Sequence, residues 1–399
     1  MRLSSALPCS SFQTALRFGE VALANLETWI TAPAKGGDGW GEVKSCLFVR
    51  LTTKDGAVGW GEAFVLPYRE KAVVEIIHAL GRSSGALKTT SPWAFRDLAI
   101  QVAAKHWSLD FSAASSALEM ALWDICGKLA DKPLCDLLGG DHSRAIGVYG
   151  NIWSDTQWDV SSLERRATDI VAQGYRAIKI HPLLNHSVNE AANCVTRVRK
   201  VIGDDIALMV DLDSQDGSGT ALQVAEAIRP ARPYWLEEPV DGSDVQALAK
   251  IRRASGLRVA TGEKHCNLVH FRAVLAAGAA DILNPDIAGI GGVLGLLEVS
   301  ELADQQGVQI SPHCWNSMTV AAAAMLHVCA SIPNAEMAEI YPEYIAHGES
   351  FATSGFRLDG THAFLLHKPG LGVEIDVPAL RSLSNHYHST CLTSAEADL

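Results

Sequence analysis

The chain has 399 residues, 48% apolar and 20% charged, with 33 lysines and arginines against 45 acids and a net charge of −12. That length exceeds one ordinary hydrophobic core and points to two domains, and the balance of apolar to charged residues excludes a disordered or fibrous chain. So acidic a surface gives no electrostatic footprint for nucleic acid or an anionic membrane, and no apolar run is long enough to span a bilayer.

Residues 1–20 read as a tail. They hold Arg2, Arg17 and several serines with no acid before Glu20, a faint transit-peptide character that fits a disordered or misassigned start better. Residues 23–31 predict a strand, and the glycine-rich stretch TAPAKGGDGWG (31–41) a mobile loop. Strands over 44–52 and 57–63 flank Lys54-Asp55-Gly56, a hairpin signal. Helices are predicted over 71–81, 93–105 and 113–130. The last has Leu118, Leu122, Ile125 and Leu129 on one face, Ser112 or a neighbour as cap, and Lys132-Pro133 as its stop. Strands first and helices after make 21–140 an α+β domain.

From Ala145 strand and helix alternate. A strand over 147–152 is followed by seven stretches that each end an apolar run in an acid, a base or both. They are AIKIHP (177–182), MVDLDS (209–214), WLEEP (235–239), ATGEK (260–264), ILNPD (282–286), ISPHC (310–314) and EMAEIY (336–341). Helical patterns over 162–173, 189–201, 220–228, 245–254, 268–277, 292–306 and 319–330 lie between them. Asp211, Glu237, Glu263, Asp286, His313 and Glu339 follow one another at 23 to 27 residues, the length of one strand, one helix and two short loops. Such alternation means parallel strands with right-handed crossovers. A chemical group at each strand's C-terminal end is the arrangement of a (β/α)₈ barrel's active face. After Phe351 the alternation stops; residues 371–376 read as a last strand and the polar end as frayed. Nine scattered cysteines without a CxxC pair suggest neither a disulfide framework nor a zinc ribbon, and favour a reducing compartment, the cytoplasm.

Asp211, Glu237 and Glu263 stand at three consecutive strand ends. One such acid is ordinarily a surface carboxylate paired to a lysine. Three that converge repel one another unless a cation sits between them, and oxygen-only ligands suit Mg²⁺. Glu237 and Glu238 are adjacent and face opposite ways, so only one can bind the ion; pattern alone leaves the choice open. Lys179 and His181 share a face of one strand. Asp286 and His313 lie on neighbouring strands, about 4.8 Å apart, where a carboxylate can orient an imidazole toward substrate as in general-base dyads. A cation beside such bases suits removal of the proton α to a carboxylate.

These residues resemble the enolase superfamily, specifically its mandelate racemase-like subgroup, over nearly the whole chain. SALEMALWDICGKLADKPLCDLLGG (116–140) is similar to the family's junction between capping domain and barrel, and PGLGVEID (369–376) to its C-terminal return. The resemblance implies a modified TIM barrel, (β/α)₇β, over 145–355, with an N-terminal α+β capping domain over 21–140 completed by 356–399. It implies Asp211, Glu237 and Glu263 as the Mg²⁺ ligands, which selects Glu237 over Glu238. It implies Asp286 and His313 as a His-Asp dyad, Glu339 as the acid that hydrogen-bonds the substrate carboxylate, and Lys179 as the first lysine of a K-x-K motif. No lysine stands at Asp286, unlike the muconate-lactonising subgroup. The second K-x-K lysine is here His181, whose unperturbed pKa is near 6.5 against about 10.4 for lysine. Asp213 replaces a more usual asparagine and is expected to support the site and its substrate.

The expected enzyme is a Mg²⁺-dependent lyase that dehydrates an acid sugar, an aldonate or aldarate, to a 2-keto-3-deoxy acid. The alternative is a racemase, epimerase or cycloisomerase using His181 and His313 on opposite faces of the same enediolate; a barrel that binds metal or a partner without catalysis is a third reading. The expected partners are a small-molecule carboxylate and, by the resemblance, further copies in a symmetric homo-oligomer. Substrate choice is expected in the loops 31–41 and 64–68, with Trp40, Phe64 and Tyr68 as candidate contacts beside Lys179, His181 and Asp213.

Overall fold

The computed structural model describes residues 20–33, 44–85, 89–152, 160–183, 186–214, 216–315 and 317–393. Residues 1–19 of the expected tail, Trp40 and most of the expected loop over 31–41 lie outside them. The chain starts with β1 (Leu23–Thr31), β2 (Leu47–Thr53) and β3 (Val58–Ala63), an antiparallel meander. At the turn between β2 and β3, Gly56 takes φ +85°, a left-handed conformation that costs glycine little. Helices Glu70–Gly85, Pro92–Ala103 and Leu109–Leu129 follow. The last of these lies against β3 backbone to backbone. A Cβ on Gly59 would sit 2.0 Å from the carbonyl oxygen of Ala121, and one on Gly61 1.9 Å from that of Ala117.

The long helix corrects two expectations. Its cap is Ser108, whose side chain accepts the Phe111 amide at 3.2 Å; Ser112 lies inside the helix and donates to the carbonyl of Cys266 in the second domain. It also has no single apolar face. Ser112 to Gly127 are all buried, because the helix is sandwiched between the cap sheet and the barrel, while Leu129 is 59% exposed at its free end.

The second domain is a closed ring of parallel strands: β4 (Ile146–Asn151), β5 (Ala177–Ile180), β6 (Ala207–Asp211), β7 (Trp235–Glu237), β8 (Val259–Thr261), β9 (Ile282–Leu283), β10 (Gln309–Ile310) and β11 (Ala338–Ile340). β11 pairs with β4, and a bridge from Ile310 to Ala335 closes the seam. Helices between successive strands form the outer layer. Inside the ring Tyr149, Ala177, Met209, Trp235, Ala260 and Ile282 form a cluster of their own. Successive strand side chains alternate faces, so the residue two positions further on also points inward, at the C-terminal mouth. Those residues are Asn151, Lys179, Asp211, Glu237, Gly262 and Asn284.

After the helix Pro342–Gly348 come β12 (Ala352–Thr353), β13 (Phe356–Leu358), β14 (His362–Leu365), β15 (Glu374–Ile375), the helix Val377–Leu383 and β16 (Ser384–Cys391). β14 pairs antiparallel with β4 and so extends the barrel sheet, while β16 pairs with β1 and widens the cap sheet to four strands. Only Glu374 and Ile375 of the expected strand over 371–376 are in a strand, paired with β12. Within the expected frayed end, the described residues form the helix Val377–Leu383 and the strand β16. Tyr387 lies against Trp29 at 5.3 Å between ring centroids and donates its hydroxyl to Glu27 at 2.8 Å, which anchors a polar segment to a core strand.

Two buried carboxylates join cap to barrel by accepting backbone N–H groups. Glu62 takes those of Met318 and Ala321, and Glu119 those of Val293 and Leu294 where a barrel helix begins. A third, Asp124, takes those of Trp60 and Leu371 and so ties the C-terminal return to the cap. A carboxylate at a helix N-terminus meets otherwise orphaned donors and the positive end of the helix dipole. These contacts fix the cap over the barrel mouth. Among the described residues no helix is long and apolar enough to cross a membrane.

Candidate active site

The alternation along β6 and β7 turns Asp211 and Glu237 inward. On β8 the inward position after Ala260 is Gly262, at φ +134°, and the turn there brings Glu263 to the mouth instead. The three acids each present a carboxylate oxygen, all within 4.8 Å of one another. Glu237 accepts from Lys179 Nζ at 2.5 Å, Trp235 Nε1 at 2.7 Å and Asn284 Nδ2 at 2.8 Å. Glu238, one residue on at φ +39°, turns away; it accepts from the Thr261 hydroxyl at 2.6 Å and the Gly262 amide at 2.8 Å.

Positive charge is scarce here. Lys179 Nζ is shared among Glu237, Glu339 at 2.9 Å and Asp211 at 3.5 Å, and Lys264 between Asp213 at 2.5 Å and Glu238 at 3.8 Å. Burial, the largest cause, with repulsion from Asp211 and other acids, pushes Glu237 and Glu263 up to about 8, and burial pushes Glu238 to about 7. Burial opposes ionisation of Asp211 too, but His181 and Lys179 hold it below the usual carboxylate range. An all-oxygen trio in which two members, Glu237 and Glu263, would otherwise retain protons at neutral pH fits a divalent cation.

The bases flank the trio. His313 Nδ1 is 2.9 Å from Asp286 Oδ2, and its Nε2 is 3.4 Å from Glu263. Asp286 is itself fixed, accepting the amides of Ala288 at 2.8 Å and Trp315 at 3.1 Å. Burial would lower the His313 pKa, but Glu263, then Glu339 and Asp286, outweigh it and raise it to about 9. His181 Nδ1 lies 3.3 Å from Asp211, and burial lowers its pKa. His181 and His313 follow β5 and β10, three steps apart around the ring, and both line one cleft with Asn151, Asp211, Asp213, Glu263 and Tyr341. Glu339 accepts from Asn151 at 2.7 Å and from the Cys314 amide at 3.0 Å; Lys179, then His313, hold it charged despite burial.

The cap closes one side. Lys44 Nζ donates to the Trp315 carbonyl at 2.8 Å and lies 3.7 Å from the centre of its ring. Phe64 stacks on the same ring at 5.9 Å, with His313 at 6.5 Å. Asp213, at φ +40°, lines the cleft and donates its amide to Asp211. Tyr68 is 90% exposed and is not among the residues lining the cleft; Trp40 lies outside the described residues. Sequence reasoning passed over Asn151, Asn284, Lys264 and Lys44. The first two could have been found by counting two residues on from Tyr149 and Ile282. Lys44 has no such signal, because its contacts are some 270 residues away.

Comparison with known proteins matches residues 26–139 to the mandelate racemase/muconate lactonizing enzyme N-terminal domain and residues 162–379 to the enolase C-terminal domain-like family. A D-gluconate dehydratase from Thermoproteus tenax is 28% identical over 83% of this chain and 68% of its own length. A D-galactonate dehydratase from Cronobacter sakazakii is 28% identical over 83% of this chain and 88% of its own. A crystal structure of an enolase from environmental shotgun sequencing of the Sargasso Sea superposes with a TM-score of 0.89 at 38% identity, covering 93% of this chain and 98% of that one.

Proposed function

Because this chain belongs to the mandelate racemase/muconate lactonizing enzyme family of the enolase superfamily, we propose that it is an enzyme that dehydrates an acid sugar, an aldonate or aldarate, to the 2-keto-3-deoxy acid. The observation that carries the reading is the His313–Asp286 pair set 3.4 Å from the carboxylate trio, a proton-transfer group beside a cation-binding one. The names of the two curated relatives, both acid-sugar dehydratases, support the choice of reaction.

Asp211, Glu237 and Glu263 would hold the divalent cation, with Mg²⁺ favoured by three oxygen donors, and when bound it supplies the positive charge that lets a carboxylate's α-proton leave at neutral pH. Lys179, in contact with Glu339, adds a fixed positive charge where the substrate carboxylate docks. An imidazole of His181 or His313, according to the configuration at C2, takes the C2 proton. The electrons of that C–H bond form the C2–C3 double bond as the C3–O bond breaks. The departing hydroxyl takes the proton His313 carries and leaves as water. The enol then gains a proton at C3 and loses the one on its C2 hydroxyl, and so becomes the 2-keto acid. Asp286 holds His313 in orientation throughout.

Incubation with a library of aldonic and aldaric acids in Mg²⁺, assayed for 2-keto acids, tests the reading. A keto product from at least one acid, lost in His313→Asn, is expected. No keto product from any, or exchange of the α-proton in D₂O without loss of water, overturns it.

A further inference from the structure

A second group of ligating side chains lies away from the barrel mouth. Asp136 is in the short helix Leu134–Leu137, His142 six residues later before β4, and His367 in the loop after β14. One nitrogen or oxygen of each lies within 4.8 Å of those of the other two. His142 Nδ1 is 2.9 Å and 3.0 Å from the two carboxylate oxygens of Asp136, and the rings of His142 and His367 are 4.5 Å apart at 32°. An ion pair would need only one histidine. Here a second imidazole, from a segment more than two hundred residues further on, lies tilted beside the first.

The backbones carrying Asp136 and His367 are tied together, and His142 is held by its contact with the Asp136 carboxylate. The Leu134 amide donates to the Gly370 carbonyl at 2.9 Å and the Gly370 amide to the Lys132 carbonyl at 2.9 Å, so the loop bearing His367 is fastened to the start of the helix bearing Asp136. The ligands are therefore held close before any ion arrives. A tetrahedral site with bonds of about 2.0–2.1 Å places its ligand atoms about 3.4 Å apart, against the present spacing of within 4.8 Å. Asp136 and His142 are partly exposed, with side-chain accessibilities of 26% and 34%, which leaves an entry path and room for water as a further ligand.

We propose that Asp136, His142 and His367 form a second cation site, for a borderline transition ion such as Zn²⁺, Co²⁺ or Ni²⁺. Two imidazoles and one carboxylate suit such ions, whereas the all-oxygen trio suits Mg²⁺. An ion there clips the C-terminal return to the junction between cap and barrel. The site is independent of the reaction proposed above.

Co²⁺ is the probe, titrated into the full-length protein held in excess Mg²⁺ and followed by its visible absorption. One equivalent is expected to bind, with a rise in melting temperature. His142→Ala and His367→Ala are each expected to weaken binding at least tenfold and abolish that rise, while melting in Mg²⁺ alone stays unchanged. No Co²⁺ bound in excess Mg²⁺, or tight binding retained in either variant, overturns the site. Asp136→Asn, which keeps the shape of the side chain, checks the carboxylate separately and is expected to weaken binding in the same way.

Discussion

Asp286 holds His313 by a single 2.9 Å contact to Nδ1, leaving Nε2 turned toward Glu263. The bridge between the two residues continues the pairing of β9 and β10, so the pairing of these two strands itself sets the distance. Asp286→Asn preserves the shape and removes the charge. Its kcat should fall by about 10²–10⁴-fold, the usual scale for misplacing a general acid or base, while Mg²⁺ affinity is unchanged. Steady-state kinetics beside calorimetric Mg²⁺ titration checks both.

Lys179 is fully buried among Asp211, Glu237 and Glu339. Removing one partner of a buried charge group costs about 3–5 kcal/mol, because the remaining charges stay uncompensated. Lys179→Met should therefore lower unfolding free energy by about that much in the presence of a chelator. The loss should be smaller in saturating Mg²⁺, which takes up part of the negative charge. Urea melts with and without the ion measure the difference.

Gly61 lets β3 touch the helix Leu109–Leu129 through their backbones, and a Cβ there would lie 1.9 Å from the Ala117 carbonyl oxygen. Gly61→Ala must push sheet and helix apart and should cost about 3 kcal/mol, the upper range for overpacking. Chemical denaturation of the variant against the parent tests it.

Glu119 is buried at the start of the barrel helix Gly292–Asp304, and burial raises its pKa from 4.5 to about 7. The folded state thus favours the protonated form. The stabilisation is complete below the unfolded value of 4.5 and is lost as pH rises through about 7. Across that window it declines by about 1.4 kcal/mol per pH unit, up to about 3 kcal/mol in all. Glu119→Gln mimics the neutral form and should flatten this part of the stability profile. A parent curve equally flat would contradict the argument.

The barrel and its mouth were legible in sequence because both are local repeats. One strand-end charge per βα unit recurs along the chain, and inward alternation then places Lys179, Asp211 and Glu237 around one axis. What stayed hidden depends on distant partners. β16 reads as a polar tail until it is paired with β1, some 360 residues earlier. Leu129 continues an apolar stripe in sequence, but the helix buries every face except its end. Glu62 and Glu119 look like surface acids, and their partners are backbone amides 174 to 259 residues away. Lys264 was visible beside Glu263, yet nothing local shows that it pairs with Asp213.

The most direct test is turnover after exhaustive chelation, followed by stepwise return of Mg²⁺, on the parent and on Glu263→Gln. The account predicts no 2-keto acid from the stripped enzyme, full recovery with Mg²⁺ in the parent, and no recovery at the same Mg²⁺ in the variant. Undiminished turnover in the stripped enzyme, or a Glu263→Gln enzyme that recovers like the parent, would contradict it.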